Sequence, residues 1–369
     1  MTEDVDQGKA LPDPNSDGVI AALAAIGRNP TLREVFVLAC LQVEKGLNYG
    51  GSVRDDITAP IVDALFRDVE RVRKTLSTGE VFEFSYRSKI AREFVMSEPR
   101  QPDHVWEPQT TKLLLRLAQG ARHVLVGGAY FGDHAILIAK KIAAWGGVCH
   151  AFEPNAEQLA MLVHNARLNA LGNLRPHLLG LWSKTNCNLR LVGDDSHAYP
   201  ELVSQAEAGS FSTVTVDSYL AQQGVKALDL LMLDIEGGEF EVLKGASGQL
   251  ALPEAEAPAV VFEVHRSYVD WTGGLHRTEI VRFLAGFGYT VFAVRDFNAN
   301  FNMAGKPIEL IPTDDVYLEG PPHGFNMLAV KGSKRLQLID GYRICPGVSP
   351  KLLVHKDPNL HHPKDGLAK

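Results

Sequence analysis

A chain of 369 residues exceeds one average domain and falls short of a multidomain assembly, and 45% hydrophobic with 22% charged residues exclude wholesale disorder and a fibrous repeat. The net charge is −7; residues 1–110 carry 13 basic against 18 acidic side chains and the remainder 24 against 26. Neither part has the basic excess that neutralises a phosphate backbone, so the expected partner is a small molecule and not nucleic acid. No run of apolar residues is long enough to span a membrane, and the polar start MTEDVDQGK does not read as a secretory signal. The scattered cysteines Cys40, Cys149, Cys187 and Cys345 suit reduced thiols, so the expected location is cytoplasmic.

Residues 1–18 lack a periodic apolar face and are expected to form a mobile arm. From Val19 to Leu47 the pattern is helical and broken at Asn29-Pro30, with Thr31 as the expected cap of the second helix. Thr58 to Leu76 puts Ile61, Leu65, Val69 and Val72 on one helical face, and Thr110 to Ala118 predicts a further helix stopped by Gly120. Residues 19–110 thus read as a helical N-terminal region, a lid or a dimer contact. Short apolar runs then alternate with helical stripes, which predicts an α/β domain over residues 111–335. The expected strands are His123–Val126, Val148–Phe152, Leu178–Leu181, Leu228–Leu233, Ala259–Val264, Tyr289–Val294 and Phe325–Val330. They make a seven-stranded, mostly parallel sheet. Asp296 to Gly324 reads as loop and suits an antiparallel strand at one edge; residues 336–369 form a tail ordered only by docking.

Ligands of open parallel sheets lie beyond the carboxyl ends of the strands. There the first strand runs into Gly127-Gly128-Ala129-Tyr130-Phe131-Gly132-Asp133. Tyr130 stands where a dinucleotide fingerprint needs glycine, so a pyrophosphate cradle is disfavoured and a glycine turn close to a phosphate-free ligand remains. Glu153, 21 residues past Gly132 in Phe152-Glu153-Pro154-Asn155, suits a carboxylate that accepts both ribose hydroxyls. The fourth strand ends Asp234-Ile235-Glu236-Gly237-Gly238-Glu239, and the fifth ends Glu263-Val264-His265 with Glu263 and His265 on one side.

The glycine turn, FEPN and the string from Asp234 to Ala246 together resemble the FkbM family of S-adenosylmethionine-dependent methyltransferases over roughly residues 105 to 332. The resemblance implies the class I methyltransferase (Rossmann-like) sheet and O-methylation of a sugar or natural-product hydroxyl. It implies that Gly128, Ala129 and Gly132 pack on the methionine part of the cofactor, Glu153 holds its ribose and Asp234 stands near the methyl; the expected cofactor set adds Gly127, Asp133, Asn155 and Trp182. Two departures stand out. Val126 replaces the family's usual acidic residue, leaving Asp133 or Glu107 to take the cofactor's amino group, and Tyr130 stands where Asn is usual.

The expected catalytic residues are His265 as general base, with Asp234 and Glu263 orienting it. Alternatively Asp234 and Glu263 bind a divalent metal such as magnesium. Trp182 either stacks on adenine or covers a rim; Arg266, Tyr268 and Trp271 either line a ring-shaped substrate or cover the sheet edge. His361-His362 reads as a solvated segment. A homo-oligomer is an expected assembly. The alternatives to methyl transfer are a nicotinamide-dependent oxidoreductase on a similar sheet and a non-catalytic module built on the cofactor fold.

Overall fold

The computed structural model describes residues 17–193, 198–320, 324–332, 334–337, 339–354 and 360–367, so all but the last two residues of the expected arm lie outside it. The chain divides into two compact units, Met1–Val72 and Arg73–Lys369.

In the first unit, α1 (Asp17–Gly27), α2 (Pro30–Gly46) and α3 (Ala59–Phe66) enclose Ala24, Val37, Leu41, Val62 and Leu65. Asn29, not Thr31, caps α2: its carboxamide oxygen accepts the N–H groups of Thr31 and Leu32. Only Gly fits at position 27, where a Cβ would lie 1.7 Å from the Leu65 carbonyl oxygen. The helix expected over Thr58 to Leu76 stops at Phe66, and Val72 opens a strand.

The boundary falls at a ribbon of β1 (Val72–Thr75) and β2 (Val81–Phe84), not at residue 110. Residues 73–110 belong to the larger unit because β2 and α4 (Lys89–Val95) supply Phe82, Phe84 and Phe94, all fully buried. Phe82 and Phe84 pack on Phe131 at 6.4 and 5.6 Å. After α5 (Pro108–Leu117) come β3 (His123–Gly127), α6 (Ala135–Ala143), β4 (Val148–Phe152), α7 (Ala156–Leu168) and β5 (Leu174–His177). A small sheet follows, built from β6 (Gly180–Leu181), β7 (Asn188–Val192), β8 (Tyr199–Val203) and β9 (Ser210–Val214) in the order β6-β9-β7-β8. The chain then runs through α8 (Val216–Gln222), β10 (Leu230–Leu233), α9 (Glu239–Lys244), β11 (Ala259–Val264), β12 (Tyr289–Val294), β13 (Ile308–Pro312), β14 (Phe325–Lys331) and β15 (Tyr342–Ile344).

The main sheet has nine strands in the order β15-β13-β12-β14-β11-β10-β3-β4-β5. Within it, β5-β4-β3-β10-β11 are parallel and β14 is reversed between β11 and β12, which is the class I methyltransferase arrangement. Seven strands become nine because the segment expected as loop holds β13 and the tail adds β15. The reversed strand sits inside the sheet and not at its edge. The third strand lies at Leu174–His177 and not at Leu178–Leu181. As an edge strand it tolerates Arg175, Pro176 and His177, so it carries no apolar run to read.

Because β4 and β10 lie on opposite sides of β3, a crevice opens at the carboxyl ends of β3 and β10. The tail docks on the body: Asp296 N–H donates to Pro350 O at 2.9 Å and Leu352 N–H to Asp296 O at 2.8 Å. His361 is fully buried against Trp271, contrary to a solvated reading. None of the described helices is long and apolar enough to cross a membrane.

Candidate active site

A cavity of about 340 Å³ opens at the strand ends and is walled by the turn after β3, the ends of β4, β10 and β11, and the small sheet. Its acidic part holds Glu107, Asp133, Glu153, Asp234, Glu236 and Glu263; its apolar part holds Leu181, Leu189, Leu191, Pro200 and Phe211. Three non-glycine residues with left-handed backbones line it, Glu107 (φ 45°), Tyr130 (φ 45°) and Glu236 (φ 52°). Such conformations are held by their surroundings and gather at ligand sites.

The turn itself is tight. Gly128 has φ 76°, and a Cβ there would lie 1.7 Å from the Asp234 carbonyl oxygen. The Glu153 carboxylate accepts Tyr130 N–H and Asn155 N–H, each at 2.8 Å, which ties the end of β4 to the turn. Asn155 lines the cavity and caps α7 through Glu157 N–H and Gln158 N–H. On β10, Asp234 N–H donates to Gly127 O at 3.0 Å. The buried Glu239 carboxylate accepts Ile235 N–H and Gly237 N–H, clamping the loop that carries Asp234 and Glu236.

Ala129 and Gly132 are not in the cavity wall. Ala129 is buried with its N–H on Phe152 O, and a Cβ at Gly132 would strike Ile136 and Leu162 at 2.7 Å, so that glycine serves helix packing. Trp182 also lies off the wall, against Gly238 in the clamped loop. Tyr268 lines the cavity, whereas Trp271 packs on Phe325 and Arg266 is exposed outside it.

Burial raises the carboxyls. Glu107 is pushed up to about 8, first by desolvation and then by Asp296, with the Lys351 ammonium acting against the rise. Desolvation raises Asp133, and raises Asp234 and Glu263 well above the carboxylate range, neighbouring acids adding to both. Glu239 is raised to about 7, again by burial first. Ligand atoms of Asp234, Glu236 and Glu263 lie within 4.8 Å of one another, the one group of metal-binding geometry among the described residues.

His265 lines the cavity, but its Nδ1 accepts Ser267 N–H at 3.0 Å. A neutral ring so held carries its proton on Nε2.

Residues without a sequence signal complete the site. Asp296 accepts Gln109 N–H and Thr110 N–H, fixing the start of α5 after Glu107. Asn326 Nδ2 donates to Glu107 Oε2 at 2.6 Å. Lys351, 1% exposed, donates to Asn298, which lines the cavity. His134, 3% exposed, has Nδ1 3.1 Å from Thr111 Oγ1, and its Nε2 has no hydrogen-bond partner.

Residues 127–291 match the family model of the methyltransferase FkbM domain. No curated protein matches the chain. Among solved structures, methyltransferase FkbM from Methylobacillus flagellatus KT is 12% identical over 70% of this chain and 55% of that one, with a TM-score of 0.33. The O-methyltransferase TomG from Streptomyces achromogenes, solved with SAM, is 14% identical over 67% and 92%, with a TM-score of 0.36. The O-methyltransferase from Bacillus cereus, solved with SAH, is 14% identical over 67% and 93%, with a TM-score of 0.34.

Proposed function

We propose, for a chain that carries a methyltransferase FkbM domain over residues 127–291, that it moves the methyl group of S-adenosylmethionine to a hydroxyl of a sugar or natural product. The observation that carries this reading is the pairing of Gly128 with Glu153. A backbone without room for a side chain stands beside a buried carboxylate of the type that accepts ribose hydroxyls, both in the wall of one cavity. The residues present fit the cofactor: the cavity size suits a small ligand, and buried Glu107 and Asp133 call for a cation where Val126 supplies no charge.

When bound, S-adenosylmethionine supplies an electrophilic methyl on a sulfonium sulfur. Glu153 would hold the ribose, and the backbone at Gly127 and Gly128 would face the methionine part. Leu189, Leu191, Pro200 and Phe211 exclude water from the transfer path. Glu263 or Asp234 would take the proton of the acceptor hydroxyl. Burial raises both carboxyls, which makes each, once ionised, a stronger base than an exposed carboxylate. His265 donates from Nε2 to orient the acceptor. Alignment is the larger contribution, about 7–11 kcal/mol, against about 10²–10⁴-fold in rate for the base.

Calorimetric titration of the purified protein with S-adenosylhomocysteine tests the reading: binding that Glu153→Ala weakens at least tenfold supports it, since two hydrogen bonds to a carboxylate are lost. Saturable binding of NAD without binding of S-adenosylhomocysteine would favour an oxidoreductase instead.

A further inference from the structure

Two buried carboxyls at one end of the cavity meet a buried imidazole that is not itself part of its wall. His134 Nε2 lies 3.9 Å from Glu107 Oε2 and 3.8 Å from Asp133 Oδ2, and both carboxylates line the wall. The tautomer follows from bookkeeping around Thr111. Its hydroxyl donates to Trp106 O at 2.8 Å, so at 3.1 Å it accepts from His134 Nδ1–H, and the proton of the neutral ring is on Nδ1. Nε2 is then a lone pair facing two carboxyl groups, and once both are ionised there is no donor among the three. A buried set of this kind is costly until a donor arrives. Water brings two protons; a primary ammonium brings three and the charge the carboxylates lack.

We propose that Glu107, Asp133 and His134 form a three-acceptor clamp for a primary ammonium group, and that His134 is a cofactor-specificity residue. The clamp rests on the S-adenosylmethionine reading, where the ammonium is that of the cofactor's methionine part. It replaces the carboxylate that Val126 cannot offer. Its geometry is set from several sides. Glu107 has a left-handed backbone, Asn326 donates to its Oε2, and Asp296 fixes the start of α5. Lys351 and Asp296 are the other charged groups acting on Glu107.

The test compares two probes by calorimetry, S-adenosylhomocysteine and its desamino analogue, the adenosyl thioether of 4-mercaptobutyrate, which keeps the carboxylate and lacks only the amine. The wild-type protein is expected to prefer S-adenosylhomocysteine. His134→Phe should lose about tenfold in affinity for it, the scale of a hydrogen bond to a charged group, and bind the desamino analogue unchanged. His134→Gln, which returns an acceptor oxygen, should recover most of the loss. Equal loss of both probes in His134→Phe, or loss of neither, overturns the clamp. A wild-type protein that binds both probes equally also overturns it while leaving the cofactor reading standing, and one that binds neither removes that reading itself.

Discussion

Under the proposed clamp, a single carboxyl, Glu107, couples cofactor binding to pH. Its ordinary value of 4.5 is raised to about 8, so it is largely protonated in the free protein at neutral pH. An ammonium partner favours the ionised form, and binding at pH 7 should therefore release a proton. Affinity for S-adenosylhomocysteine is expected to rise from pH 6 to about pH 8 and then level off. Calorimetry in two buffers of different ionisation enthalpy reads the proton directly, and an unchanged slope in Glu107→Gln would assign the effect elsewhere. The same scale separates the two carboxyls and the imidazole at the transfer end. With Nδ1 of His265 held by Ser267 N–H, His265→Asn should lower kcat less than Glu263→Gln. A base contributes about 10²–10⁴-fold, an orienting hydrogen bond less. Methyl transfer to a hydroxylated acceptor measures both, and a larger loss in His265→Asn restores the imidazole as base. The glycine turn, Glu153, Asp234 and Glu263 were legible in the sequence because each follows an apolar run that marks a strand end. His134, Asn326, Asp296 and Lys351 were not, since their approach is made by tertiary contacts between distant segments.

Three adjacent strands of the main sheet each contribute a histidine, and that element has its own pH response. His150 Nδ1 lies 2.8 Å from the Tyr219 hydroxyl, which reaches His177 Nε2 at 2.7 Å, while His123 Nδ1 is 3.5 Å from His150 Nε2. Desolvation first, then His123, His177 and Arg175, lowers His150 from 6.5 to about 4. The unfolded chain thus binds a proton between those values that the folded chain refuses. The group's contribution is complete above pH 6.5 and is lost as pH falls through about 4, amounting to about 2 kcal/mol by pH 5. The raised carboxyls Glu107 and Glu239 act in the opposite sense, stabilising the fold below their ordinary range and losing that contribution as pH rises through about 8 and about 7. Comparison with His150→Phe isolates the imidazole. Urea denaturation of the two proteins at pH 7 and pH 5 should show the variant losing about 2 kcal/mol less on acidification, and parallel losses would refute the assignment. Elements buried on both faces, such as β10 and β11, are easily read from their apolar runs. Elements with polar edges, such as β5, or with one buried ion pair, such as β13 with Glu309 bound to Arg295 at 3.1 Å, give no such run.

At the scale of the molecule, the position of the unit boundary decides which truncation leaves a folded enzyme. Helical periodicity suggested that everything before residue 110 is one appendage, because residues 73–110 contribute few strand-length runs of their own. The structure instead ties them into the larger unit. Asn165 and Asn169 each donate to and accept from the backbone of β2, at Glu83 and Val81, and fully buried Phe82, Phe84 and Phe94 complete the aromatic cluster around Phe131. Removing residues 1–104 would orphan those amides and open a cavity where three phenyl rings stood, each worth about 3–5 kcal/mol, more than a domain can lose. Removing residues 1–72 cuts at the boundary between the units. We propose that the first unit serves assembly or closure, not cofactor binding; Leu32, Val35, Leu38 and Val43 of α2 remain 41–55% exposed. A chain beginning at Arg73 is therefore expected to fold and to bind S-adenosylhomocysteine as the full chain does, with a smaller assembly in the ultracentrifuge or a lower turnover. A chain beginning at residue 105 is expected to be unfolded by circular dichroism. Should the chain from Arg73 match the full chain in both size and turnover, the first unit has neither role.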